Sequence, residues 1–186
     1  MENKRQQILE KAIEFIQKSG FDSFSYQDLS AAVGITKASI HYYFPSKEDL
    51  GVEVLKLINQ RAELLMSIID KQEDAVTKLN LYIQAIISTN GEGLICPISS
   101  LQAEYNVIPE SMKQELQKLS AAELDRLTNI LQQGLDEGVF DFKGPARDYA
   151  SLFLTTIKGA IQYSRVLKED LRSTVINLSL QLILQS

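Results

Sequence analysis

Between Ser25 and Lys47 the chain gathers side chains that can donate hydrogen bonds to an anion or a base edge: Ser25, Tyr26, Thr36, Lys37, Ser39, His41, Tyr42, Tyr43 and Lys47. Hydroxyls suit phosphate oxygens, and a lysine suits either a phosphate or a guanine edge. The chain offers no comparable set for catalysis. It has one histidine, His41, and one cysteine, Cys96, far apart in sequence, so a Cys–His nucleophilic pair is not indicated. There is no cluster with metal-ligand spacing and no glycine-rich phosphate loop. The reading is of a non-enzyme without metal or cofactor.

Those donors need short, rigid elements to hold them. Ser25 can cap a helical run, with Asp28 three residues later reaching back in a capping-box spacing. Leu29, Ala32 and Val33 give that run an apolar face. Gly34 stands where a helix must end in a left-handed conformation, which a residue without Cβ adopts freely. Thr36 can cap a second run, whose buried face is Ile40, Tyr43 and Phe44. Pro45 stops it, and Ser46 with Asp49 repeats the capping spacing. Helix, turn, helix, stop is the layout in which the second helix can enter a DNA major groove. Ser25 and Tyr26 open the first short helix and Lys47 the helix after the second, where free backbone N–H groups favour a phosphate. Ile35, Ile40 and Phe44 are structural.

The run Ser39-Ile40-His41-Tyr42-Tyr43-Phe44-Pro45-Ser46-Lys47-Glu48-Asp49-Leu50 closely resembles the DNA-binding segment of TetR-family transcriptional repressors. Those proteins carry a similar small residue, aromatic pair, Phe-Pro-Ser-Lys and acidic-Leu. The resemblance is specific from about Lys4 to Leu50, and beyond that it rests on length and helical pattern. His41 stands where the family usually has tyrosine. The resemblance implies that the outward face of the second short helix meets bases and phosphates. It also implies a homodimer on a palindromic operator and a small-molecule effector of unknown identity.

The net charge of −5 and a pI near 5.0 argue against a nucleic-acid partner until the chain is divided. Residues 1–47 carry six basic and five acidic side chains, so the acidity lies in the remainder. The N-terminal part is mildly basic at most, and phosphate binding must come from placed contacts instead of a basic field. A single cysteine excludes an intrachain disulfide and fits a reducing compartment. The first residues lack an apolar signal-peptide core, and no run approaches the roughly 20 apolar residues that span a bilayer. A cytoplasmic protein with no membrane partner is expected.

In chain order, Lys4 to Lys18 places Ile8, Leu9, Ala12, Ile13 and Ile16 on one helical face, ended by Gly20 and anchored by Phe21 and Phe24. A long helix from Lys47 sets Leu50, Val54, Leu57, Ile58, Leu64, Leu65, Ile68 and Ile69 inward. Another spans about Asp74 to Thr89, before a break at Asn90-Gly91-Glu92-Gly93. A short helix begins at Cys96-Pro97, a long one runs from Pro109 to near Gly138, and two more cover about Ala146 to Leu167 and Asp170 to Gln185. No strand-like alternation is present. The expected fold is all-α with about nine helices: a three-helix DNA-binding unit (1–47), then a larger effector-binding and dimerisation domain (48–186).

Met66, Tyr82, Cys96, Tyr105, Met112 and Phe153 are the candidate pocket wall, all of them types that also fill cores. Cys96 falls at a helix cap ahead of Pro97, a place that suits a reactive thiol, and the alternative is an inert buried one. Some TetR-like repressors that respond to electrophiles or oxidants look similar here, with Ser99-Ser100-Leu101-Gln102-Ala103-Glu104 after the cysteine. The implied function is a repressor released by an effector or by modification of Cys96. The final two helices carry wide stripes, Tyr149, Leu152, Phe153, Thr156, Ile157, Ala160 and Ile161, then Leu171, Val175, Leu178, Leu182 and Ile183, with Ile176 and Leu180 off the second. Apolar residues on more than one face need cover on more than one side, and the resemblance implies a two-fold four-helix interface. Two alternatives stand: an activator using the same DNA unit, and an all-helical small-molecule binder that does not bind DNA.

Overall fold

The computed structural model describes residues 3–88 and 94–184. Over these it is all-helical: α1 (Lys4–Ser19), α2 (Tyr26–Val33), α3 (Lys37–Tyr43), α4 (Lys47–Ile69), α5 (Ala75–Ser88), α6 (Pro97–Ala103), α7 (Glu110–Asp136), α8 (Ala146–Leu167) and α9 (Leu171–Gln181). Among the described residues the one β feature is an isolated bridge between Phe140 and Leu184. The expected break at 90–93 lies outside the described residues, and the last helix, expected to reach about Gln185, ends at Gln181 with Leu182 as its cap. No described helix is long and apolar enough to cross a membrane.

The chain forms two compact units, Met1–Ala62 with Ile95–Leu119 and Glu63–Leu94 with Ser120–Ser186. The first contains the whole stretch of candidate DNA contacts. Ile8, Leu9, Ala12 and Ile16 of α1 meet Leu29, Ile40, Phe44, Leu50 and Val54, and Leu101, Met112 and Leu116 join the same core. Full burial of each leucine or isoleucine is worth about 1.5–3 kcal/mol, so this core fixes α2 and α3 far more firmly than helix propensity could. The second unit's core is built on Leu79, Tyr82, Leu127, Leu131, Phe140, Phe153, Ile157 and Ile176.

Three stripe expectations need correction. Leu64 and Ile68 are 65% and 51% exposed, because the buried face of α4 has turned to Leu65 and Ile69 one position on. Ala32 is exposed, and α2 packs instead through Leu29, Ser30 and Val33. In α9 the expected stripe divides: Ile183, just past the helix, is buried together with Ile176 and Ser179 from off the stripe, Leu171 and Val175 are half-buried, and Leu178 and Leu182 stand 56% and 58% exposed in a single copy. Spacing shows that a helix has two apolar faces but does not say which one its own chain covers.

Candidate nucleic-acid interface

Each junction of the three-helix head is closed by the residues that the capping pattern indicates. Asn3 accepts from the Arg5 N–H at 3.0 Å to start α1. Ser25 and Asp28 form a complete capping box, the Ser25 N–H donating to Asp28 Oδ2 at 2.7 Å and the Asp28 N–H to Ser25 Oγ at 3.3 Å. The Ser25 hydroxyl and amide hold the Asp28 carboxyl below its ordinary value. Gly34 ends α2 at φ 70°, ψ 40°, the left-handed geometry expected there. Just beyond it, the Ser30 hydroxyl donates to Ile35 O at 2.6 Å and tightens the turn. Thr36 caps α3 by accepting the Ser39 N–H at 3.1 Å. Ser46 and Asp49 cap α4 with a second reciprocal pair, both at 3.0 Å. Four orphan donors at each helix start would otherwise face water or the core.

What this frame leaves outward is a surface of donors. Tyr42 is 82% exposed, Thr36, Lys37 and His41 are exposed, and Ser39 and Tyr43 are half-buried. The Tyr42 and Tyr43 rings meet edge to face, 5.2 Å between centroids, which orders the outer ring. His41 Nδ1–H donates to Pro45 O at 3.1 Å, and its ring stands edge-on to Tyr26 at 4.8 Å. Nε2 is the ring nitrogen left for a partner. The imidazole is thus seated in the head, unlike a freely swinging side chain.

Two expected contacts sit differently from their neighbours. Tyr26 is 6% exposed, and its hydroxyl donates to Phe44 O at 2.9 Å, so toward the outside it has its backbone amide to offer. Lys47 is half-buried, with Nζ 4.8 Å from the Phe21 ring centre and 4.7 Å from that of Phe24. Burial pulls its pKa down, while Asp22, Glu104 and Asp28 nearby pull the other way. Two aromatic faces suit a cation, so Lys47 stays tied to the head as well as to the start of α4.

The six pocket candidates divide between the units. Met66, Tyr82 and Phe153 belong to the second unit, where Tyr82 and Phe153 are buried and Met66 packs against that core. Met112 is fully buried in the first core, with Cys96 and Tyr105 packed against it. Cys96 is half-buried at the start of α6. Within the second unit, Lys158 pairs with Glu123 at largely covered positions, and the Tyr82 hydroxyl donates to Glu123 O at 3.3 Å.

Sequence reasoning missed the segment that grips the end of α1. The Ser100 hydroxyl donates to Ile16 O at 2.8 Å, the Ile95 N–H to Gln17 O at 3.3 Å, and the Glu104 carboxylate accepts the Phe21 N–H at 2.7 Å. These pairings span more than seventy residues, and no local spacing announces them.

Residues 8–54 match the family model described as bacterial regulatory proteins, tetR family. The chain resembles a TetR-family transcriptional regulator from Agrobacterium tumefaciens with a TM-score of 0.90 and 30% identity, over 98% of each chain. It is 28% identical over 139 residues to the HTH-type transcriptional repressor DhaR of Mycobacterium sp. (strain GP1), across 72% of this chain and 68% of that protein. The HTH-type transcriptional regulator YfiR of Bacillus subtilis (strain 168) is 24% identical over 173 residues, across 90% of this chain and 83% of its own.

Proposed function

The chain belongs to the TetR family of DNA-binding transcriptional regulators, and we propose that it acts as a homodimeric repressor that leaves a palindromic operator when an effector binds. The observation that carries this reading is the outward donor surface of α3, with Lys37 and Tyr42 exposed on a head closed by caps at every junction. In the division of labour we propose, residues 1–47 read DNA and residues 48–186 bind the effector and dimerise. Ser25, Thr36, Lys37, Ser39, His41, Tyr42, Tyr43 and Lys47, with the Tyr26 amide, supply the contacts. Phosphate contacts set register, and base-edge contacts from Lys37 and Ser39 supply sequence preference.

Dimerisation is supported by apolar side chains that a single copy leaves bare: Leu152, Tyr163 and Val166 on α8, Leu178 on α9 and Leu182 at its C-terminal cap. A two-fold pair presents two α3 helices to half-sites about one DNA turn or more apart. For the effector we propose the second unit's interior beside Met66, Tyr82 and Phe153. A ligand favouring one arrangement of α4 would alter the spacing of the two α3 helices and so lower operator affinity.

A second route to release is favoured by the place of Cys96, next to Ile95, whose N–H binds the end of α1. A thiol reagent that fails to label the native protein at neutral pH removes that route.

The experiment for the main reading is selection of bound fragments from the genomic DNA of the source. Enrichment of one palindromic site is the expected result, and retention of no duplex above random sequence in low salt overturns it. A reporter placed behind the recovered site separates the repressor from the activator by the sign of its response.

A further inference from the structure

We infer that Glu104 is a positioning residue for DNA binding: from the C-terminal end of α6 it holds the turn between α1 and α2, and with it the start of α2. The inference rests on the DNA-binding reading of the head. Behind it lies the accounting of polar groups where α1 ends. The Phe21 and Asp22 amides follow the helix and are not part of it. The Glu104 carboxylate accepts both, from Phe21 at 2.7 Å and from Asp22 at 3.3 Å. Charge-assisted bonds of this kind are stronger than neutral ones. The last carbonyls of α1 are met from the same short segment, Ile16 O by the Ser100 hydroxyl and Gln17 O by the Ile95 amide. Gly20 fits against it closely, since a Cβ there would stand 2.4 Å from Glu104 Oε1.

The held turn has leverage on two proposed phosphate contacts. Asp22 lies just before Ser25, the cap of α2. Phe21 and Phe24, on either side of the turn, form the aromatic seat of the Lys47 ammonium. A turn that drifts would therefore loosen the start of α2 and the start of α4 together.

Charge alone predicts the opposite effect, which gives the test its sign. A carboxylate beside a phosphate-binding surface repels DNA, so a bystander Glu104 would lower affinity and its removal would raise it. The experiment uses the full-length protein and the duplex recovered by genomic selection, with a scrambled duplex as control. E104A is expected to weaken binding to the recovered duplex about tenfold or more. E104Q keeps the shape and one acceptor oxygen, and is expected to fall between E104A and the wild type. The dependence of log affinity on log salt should also flatten by about one in E104A, the signature of a lost phosphate contact. A role confined to stability would lower the active fraction and leave that slope unchanged.

Equal or tighter binding by E104A, or weaker binding with an unchanged slope, overturns the inference. Should E104A lose its helical fold, E104Q carries the same test: weaker binding with a flatter slope supports the inference, and wild-type binding refutes it. A wild-type protein that selects no duplex removes the DNA-binding reading and this inference with it. A wild type that binds beside an unaffected variant removes only the inference.

Discussion

The hydroxyl of Tyr26, the first residue of α2, donates to the carbonyl oxygen of Phe44, the cap of α3, at 2.9 Å, and Ser46 O also takes part. This phenol ties the start of one short helix to the end of the next. The angle between α2 and α3 therefore rests on a buried polar link as well as on Leu29 and Ile40 packing.

Tyr26→Phe keeps the ring and removes the link. Leaving a buried carbonyl without its partner costs about 1–3 kcal/mol, to be read as a lower denaturant midpoint. The alkaline limb adds an independent check. Burial, with the charge of Asp49 second, pushes the Tyr26 phenol up from 10.0 to about 12. Because the folded value is the higher one, its contribution is intact below pH 10 and fades as the pH rises toward 12. The stability gap between wild type and Y26F should narrow across that window, and a constant gap would show that the phenol is not the titrating group.

Most of this head was legible in the sequence because its signals are local. Ser25 with Asp28, Ser46 with Asp49, Gly34 and Pro45 each act within a few residues, so spacing alone exposes them. The buried destiny of Tyr26 was not legible. A tyrosine at a helix start reads as a phosphate donor until Phe44 and Ser46 are brought to it by the tertiary fold. Glu104 was hidden for the same reason, since its partners lie 82 and 83 residues away.

Lys37→Ala tests the proposed recognition surface. Lys37 is exposed at the first position of α3, so folding and thermal stability should stay within about 0.5 kcal/mol of wild type. If it meets a phosphate, all duplexes lose affinity alike and the salt slope falls by about one. If it meets a guanine edge, the loss is about 1–3 kcal/mol and falls on the preferred sequence. Unchanged operator binding by fluorescence anisotropy would remove Lys37 from the contact set.

Leu178→Glu addresses assembly. The side chain is 56% exposed in one copy, so a charge there should cost the isolated fold little. At the centre of a two-fold apolar interface it would appear twice against itself and face uncompensated desolvation. Sedimentation should then report a monomer, and operator affinity should fall with it. A dimer of unchanged affinity would place the interface elsewhere. The sequence located an apolar excess in α8 and α9, but spacing alone did not show that Ile176 and Ile183 would be covered within one copy while Leu178 and Leu182 stay exposed.

Two glycine-to-alanine changes separate backbone strain from crowding. At Gly34 nothing lies within 4 Å of an added Cβ, so only the left-handed φ of 70° opposes the change. That costs about 1–2 kcal/mol. Gly134 lies inside α7, where alanine should gain about 0.5–1 kcal/mol over glycine. Its Cβ would nevertheless fall 1.9 Å from Phe140 Cδ2, in a core where Phe140 is 2% exposed. Overpacking costs about 1–3 kcal/mol and often more at such distances, so crowding should outweigh propensity and Gly134→Ala should destabilise. Phe140→Ala gives the control. Removing the ring together with its Cγ, which would stand 2.6 Å from the new methyl, should remove most of the Gly134→Ala penalty, so the two changes combined should be less costly than their sum. Strict additivity in chemical denaturation would mean that the ring and the new methyl never met.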